Sequence, residues 1–218
     1  MKPRPPLSQK LINEREMLAL GAEYIAGADE VGRGPLAGPV VCAAVILPLE
    51  EASLIEGVDD SKKLSAAARE RLAALIRERA VSYAICEEDP AVIDRINILE
   101  ATKLCMKRAV EALSPAPDIV FVDGNFRLDV SMPQQSIVKG DALSYSIGAA
   151  SILAKVHRDK LMEEYDALYP QYGFAAHKGY GTAAHIKAIR EYGPCAIHRK
   201  TFIKKLSAGE GKSAPRST

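Results

Sequence analysis

The chain is poor in residues that would staple or anchor it. Its 218 residues include four cysteines, at 42, 86, 105 and 195, far apart and without a paired spacing. That pattern argues against a zinc site and against a disulfide framework. Reduced thiols suit the cytoplasm, which is the expected location. No apolar run approaches the ~18 residues of a membrane span, so no membrane association is expected. Met1-Lys2-Pro3-Arg4-Pro5-Pro6 lacks the apolar segment of a secretory signal and reads as disordered. Internal repeats are absent. Residues 1–20 read as an N-terminal arm, 21–205 as one domain, and 206–218, rich in Gly, Ser, Ala and Lys, as a disordered tail.

Net charge is also scarce, at +1, but it is unevenly spread. Residues 1–138 hold 16 Lys+Arg against 21 Asp+Glu, whereas residues 139–205 hold 11 against 6 and all four histidines. A basic second half beside an acidic first half suits a protein that draws polyanions toward carboxylates.

What the chain does have is the run Gly27-Ala28-Asp29-Glu30-Val31-Gly32-Arg33-Gly34-Pro35-Leu36-Ala37-Gly38. Adjacent carboxylates repel unless a cation or proton joins them. The glycine loop that follows offers backbone amides and a guanidinium, which suit a phosphate. Metal beside phosphate is an arrangement for phosphoryl transfer. Asp118-Ile119-Val120-Phe121-Val122-Asp123-Gly124 reads as a buried strand ending in a second acid, and Asp141 follows Gly140. Oxygen ligands without His or Cys favour Mg²⁺ or Mn²⁺ over zinc. Strand alternation sends Asp29 and Glu30 to opposite faces, so one shared site requires the strand to end or bulge at Glu30.

Strands are expected over 22–31, 39–47, 81–86, 118–124 and 135–139. Helices are expected over 65–79, 98–113, 144–168 and 182–192. This order implies a mixed sheet with helices on its faces, an α/β fold. Ala149, Ala150, Ser151 and Ala154 are small enough to let the long helix lie close to the sheet. Asp159 rivals Asp141 as a fourth acid, but Arg158 and Lys155 beside it favour a surface ion pair. His177, His185 and His198 read as surface or phosphate-contacting groups, since no carboxylate sits at ligand spacing. Lys62 and Lys63 are candidates for flanking phosphates, and Tyr180 between two glycines is placed to meet a ligand.

Taken in order, Asp29-Glu30-Val31-Gly32-Arg33-Gly34, Asp60-Ser61-Lys62-Lys63-Leu64-Ser65, Val122-Asp123-Gly124, Lys139-Gly140-Asp141, the block 149–159, His177-Lys178-Gly179-Tyr180-Gly181-Thr182 and His198-Arg199 resemble the bacterial type 2 ribonucleases H, the ribonuclease HII family. The resemblance runs from about Ile25 to Phe202. It departs only at Gly148, where alanine is common, and at Thr201, where serine is usual. It implies an RNase H-like fold, a five-stranded mixed sheet flanked by helices, with a small helical C-terminal part. It implies cleavage of RNA in RNA–DNA hybrids and at single ribonucleotides in duplex DNA. Asp29, Glu30, Asp123 and Asp141 would bind two Mg²⁺ or Mn²⁺ ions. Gly32, Arg33 and Gly34 would meet the 2′-hydroxyl and its phosphate, Tyr180 the neighbouring sugar. The tail has no aromatic pair, so a sliding clamp is not an expected partner, and a monomer is expected.

Two other readings compete. A catalytically silent binder would recognise hybrids through the basic half alone. A nucleotide-binding enzyme would use 32–38 as its phosphate loop, but Pro35 removes an amide, no Lys-Ser/Thr pair follows, and the glycine spacing does not fit a dinucleotide fingerprint.

Overall fold

The structure, a computed structural model, describes residues 7–207. Of the tail expected to be disordered, residues 206 and 207 instead close the last helix, with Leu206 packed against the core, while 1–6 and 208–218 fall outside the described residues. The elements run α1 (Leu7–Lys10), α2 (Ile12–Ala19), β1 (Ile25–Val31), β2 (Val40–Ile46), α3 (Ala66–Arg79), β3 (Ser82–Glu88), α4 (Pro90–Ile96), α5 (Ile98–Glu111), β4 (Ile119–Asp123), β5 (Gln134–Ile137), α6 (Gly140–Leu143), α7 (Tyr145–Leu168), α8 (Phe174–His177), α9 (Ala183–Tyr192) and α10 (Lys200–Ser207). Short 3₁₀ turns span 51–53 and 61–63.

The five strands form one mixed sheet in the order β3-β2-β1-β4-β5. β1 pairs antiparallel with β2 and parallel with β4, and β4 pairs parallel with β5. A parallel pair delivers both strand ends to the same edge, so Asp29 in β1 and Asp123 at the end of β4 emerge together. β2 is buried along its whole length, as expected of a strand covered on both faces. Val41, Ala43 and Val45 meet α3 and α7, whereas Val40, Cys42, Ala44 and Ile46 meet α5.

Local signals explain where the helices start. Ser65 caps α3 by accepting from the Ala68 amide, Asn97 caps α5 from Leu99 and Glu100, and Ser144 caps α7 from Ile147. α7 lies against β1 so closely that a Cβ on Gly27 would overlap the Ser146 and Ile147 backbone. The small residues of α7 permit this approach, as the sequence suggested. α8, α9 and α10 form the small C-terminal part around Met162, Tyr172, Phe174, Ile189 and Ile203. The stretch before β1 contains more than an arm: α1 and α2 fold onto the domain and bury Lys10, Leu11 and Glu14.

Gly27→Ala places a methyl inside backbone, and overpacking without room to shift should cost about 3 kcal/mol or more. Chemical denaturation checks this, and a variant as stable as the parent would contradict the close approach of α7 to β1.

Candidate active site

The carboxylates of Asp29, Glu30 and Asp123 converge, each offering an oxygen within 4.8 Å of the others. Asp29 and Glu30 belong to opposite faces of β1, as alternation requires, yet both reach the site. The expected break at Glu30 does not occur: pairing with β2 stays regular through Glu30↔Cys42 and Val31↔Val41. Convergence comes from the other side, where the β1–β4 ladder stops at Ala28↔Val122. Past that point the β4 edge of β1 is open, leaving room for Glu30 to come round.

The cluster is buried and crowded with negative charge. Asp29 is 4% exposed. Burial, then Glu30 and Asp123, push its carboxyl well above the ordinary range, although Ser151 and the Glu30 amide oppose this. The Glu30 amide donates to Asp29 Oδ1 at 2.7 Å. Glu30 is raised too, chiefly by burial; Arg33 works against the rise from 3.4 Å away. Glu30 Oε2 is buried and accepts no hydrogen bond. Asp123 Oδ1 accepts from the Gly140 amide at 2.6 Å, which ties β4 to α6. Three converging carboxylates with an oxygen left unsatisfied fit a divalent cation bound through oxygen.

Asp141 sits on α6 beside this cluster but is not one of the three converging carboxylates. It is 8% exposed and raised by burial, then by Asp60 and Asp123. Lys62 lies 3.6 Å from it with its side chain 77% exposed. Partial burial would lower Lys62, but Asp141 and Asp60 raise it overall. Lys63 faces Asp59 and Asp60 at 3.7 and 3.8 Å. Asp159 is engaged elsewhere, 2.6 Å from Lys155 and 3.7 Å from Arg69.

Two residues that sequence reasoning read past turn out to shape the glycine loop. Arg158, expected on the surface, is fully buried and donates to the carbonyls of Pro39, Ala37 and Lys178. Arg199, also fully buried, donates to Gly38, Arg33 and Gly32 carbonyls. Burial lowers these guanidiniums to about 10 and about 9. In a trans peptide the N–H points opposite to the C=O. With the carbonyls of Gly32 and Arg33 turned toward Arg199, the amides of Arg33 and Gly34 point away from it. Gly32 has φ +92°, and a Cβ there would strike Arg158 and the Pro39 carbonyl. No other residue type fits.

The histidines also differ from expectation. His185 and His198 are buried, because α8, α9 and Tyr172 enclose them. The Cys195 amide donates to His198 Nδ1, so His198 carries its proton on Nε2 and donates to His185 Nε2 at 3.0 Å. His185 Nδ1 then donates to the Tyr180 carbonyl at 2.9 Å. Burial lowers both, His198 to about 4. This neutral chain fixes the backbone of Tyr180, whose ring is exposed and lies 3.6 Å from the place of a Cβ on Gly34. Only the buried aromatic neighbours at 172 and 174 could have hinted at it.

Solved structures share this architecture. The crystal structure of ribonuclease H2 from Pyrococcus horikoshii OT3 superposes with a TM-score of 0.72 at 26% identity, covering 85% of this chain and 98% of that one. Ribonuclease HII in the PCNA:RNase HII complex from Archaeoglobus fulgidus gives 0.72 at 27% identity, covering 87% and 98%. Fold and site thus define a nuclease of the ribonuclease H class, a metal-dependent phosphodiester hydrolase. The family model described as Ribonuclease HII matches residues 26–205. Ribonuclease HII of Ruminiclostridium cellulolyticum is 57% identical over 200 residues, 91% of this chain and 77% of that protein. That of Geotalea daltonii is 57% identical over 182 residues, 84% and 83%. The chain belongs to the ribonuclease HII family. Membership supports endoribonuclease action on RNA–DNA hybrids. Among the described residues no helix is long and apolar enough to cross a membrane.

The raised carboxyls set a pH signature. A group whose folded pKa is raised contributes stability that is fully present below its unfolded pKa and lost as pH rises through the folded value. Without divalent ions, Asp29→Asn should therefore stabilise the protein by about 1–3 kcal/mol near pH 8, with the gain vanishing near pH 4. Thermal melts across that range check this; a variant less stable than the parent at high pH would contradict the repulsion.

Proposed function

We propose that this protein hydrolyses the RNA strand of RNA–DNA hybrids and cuts on the 5′ side of single ribonucleotides embedded in duplex DNA, leaving 3′-hydroxyl and 5′-phosphate ends. The observation that carries the reading is the convergence of Asp29, Glu30 and Asp123 next to a loop whose amides are held in one direction. Two divalent ions, Mn²⁺ or Mg²⁺, held by these three residues together with Asp141, would activate water and neutralise charge developing on the phosphate and the leaving oxygen.

The chain's own groups then divide the work. Asp29, Glu30, Asp123 and Asp141 supply the negative charge that selects the ions and places them at the strand ends. The amides of Arg33 and Gly34 point away from Arg199, toward the side on which a backbone phosphate and a 2′-hydroxyl can be met. The 2′-hydroxyl is what distinguishes a ribonucleotide from its neighbours. A hydrogen bond made to it from fixed backbone rejects deoxyribose more strongly than shape alone. Arg33, 43% exposed at its side chain, adds a charged contact to the phosphate. Tyr180 presents its ring beside Gly34, in position to pack on the adjoining sugar and read the junction from RNA to DNA. Lys62, exposed and close to Asp141, suits a flanking phosphate.

Labelled duplex DNA carrying one ribonucleotide, incubated with Mg²⁺ or Mn²⁺, should be cut 5′ of that residue, and the all-DNA duplex should remain whole. Asp123→Asn should keep hybrid affinity while cleavage falls by about 10³-fold or more. Cutting of the all-DNA control, or undiminished cleavage by the variant, would contradict the reading.

A further inference from the structure

α1 and α2 precede the region that the family model matches, yet they bury two ionisable side chains against Asp59 and against Ser144 and Ser146. Lys10 is 2% exposed, and its Nζ donates to Asp59 Oδ1 at 2.6 Å. Glu14 is fully buried, and its Oε1 accepts from Ser144 Oγ at 2.6 Å and from the Ser146 amide at 3.0 Å. Burial raises the Glu14 carboxyl, and its second oxygen has no hydrogen-bond partner. Two buried ionisable groups with separate partners are costly compared with apolar packing of similar volume.

Both partners lie on segments that frame Asp141. Asp59 Oδ1 also accepts from the Asp60 amide, and Asp60 in turn caps the turn that carries Lys62 by accepting from the Lys62 amide. Lys62 is the cation beside Asp141. On the opposite side, Ser144 caps α7 immediately after α6, the helix that bears Asp141. α6 is further pinned to the cluster through Gly140 N–H and Asp123. The carbonyl of Asp141 itself packs within 3.1 Å of where a Cβ on Gly148 would stand, next to Val58 and Asp59. Asp141 thus lies between the two segments that Lys10 and Glu14 grip.

We infer that Lys10 and Glu14 are positioning residues for cleavage, an N-terminal brace that sets Asp141 and Lys62 against the Asp29–Glu30–Asp123 cluster. The inference rests on the reading of Asp141 as the fourth acid. Residues that orient ion-binding carboxylates alter ion affinity or turnover by about 10–100-fold when removed. Of the proposed substrate contacts only Lys62 lies on the braced segments, so the loss should fall mainly on kcat or on the Mn²⁺ dependence, and KM for the hybrid should change less than turnover does.

The full chain is assayed on an RNA–DNA hybrid over a range of Mn²⁺ concentrations, well below the melting temperature of every variant. Glu14→Ala and Lys10→Met should each lower kcat or raise the Mn²⁺ concentration for half-maximal rate, by about ten-fold or more. Glu14→Gln, which keeps the acceptor for Ser144 and Ser146, should restore most of the loss. A double-mutant cycle separates positioning from general weakening: Glu14→Ala added to Asp141→Asn should cost little beyond Asp141→Asn alone. Lys10→Met gives the same cycle should Glu14→Ala fail to fold. Losses that multiply in the double variants, or that fall on KM alone with kcat and the Mn²⁺ dependence unchanged, would overturn the brace while leaving Asp141 in place. Near-normal activity of Asp141→Asn would overturn the fourth-acid reading, and the brace with it.

Discussion

Mutual repulsion among buried carboxylates is the constraint around which this molecule is arranged. Three acids share one end of the sheet, and burial raises Asp29 and Glu30 above the range in which carboxyls ordinarily ionise. Left to itself such a cluster favours the unfolded chain or the protonated state. The fold opposes both by placing the acids on its most rigid elements. β1 is central and β4 is its parallel neighbour, so neither strand end can retreat without disturbing the sheet. The Gly140 amide, Ser151 and the Glu30 amide supply hydrogen bonds that hold the carboxylates in place. These three carboxylates would hold a divalent cation, whose charge would offset the remaining repulsion.

The second half of the chain complements this arrangement by holding the loop after the acids. Arg158 and Arg199 are buried guanidiniums, and between them they donate to five carbonyls of residues 32–39 and one at 178. A carbonyl gives direction without neutralising charge, so both guanidiniums keep their charge inside the fold. The same contacts turn the Arg33 and Gly34 amides away from Arg199. The His198–His185–Tyr180 chain extends the rigid surface to the exposed aromatic ring. Basic residues in this half therefore act partly from inside the fold, which a count of charges along the chain does not reveal.

Much of this was legible in the sequence where period and chemistry agreed. All five strands and the four long helices lie close to where the hydrophobic pattern predicts them, because β2 is apolar throughout and Ser65 and Ser144 stand at helix starts. The convergence of Asp29 with Asp123 was also readable, since Asp123 ends one apolar strand and Asp29 lies near the end of another. How Glu30 joins them was not, because the open edge past Ala28 depends on where the β4 ladder stops. Arg158, Arg199, His185 and His198 resist reading for a shared reason: residues of these types are usually exposed, and only tertiary packing supplies their carbonyl and imidazole partners. Lys10 and Glu14 were hidden likewise in a polar stretch with little helical periodicity.

The central claim is that Asp29, Glu30 and Asp123 together hold a divalent ion. Anomalous diffraction from crystals soaked in Mn²⁺ tests it most directly. The account requires a peak bridging these three side chains, with carboxylate oxygens at about 2.2 Å. An empty cluster at saturating Mn²⁺, or an ion held elsewhere while these carboxylates stay apart, would contradict it.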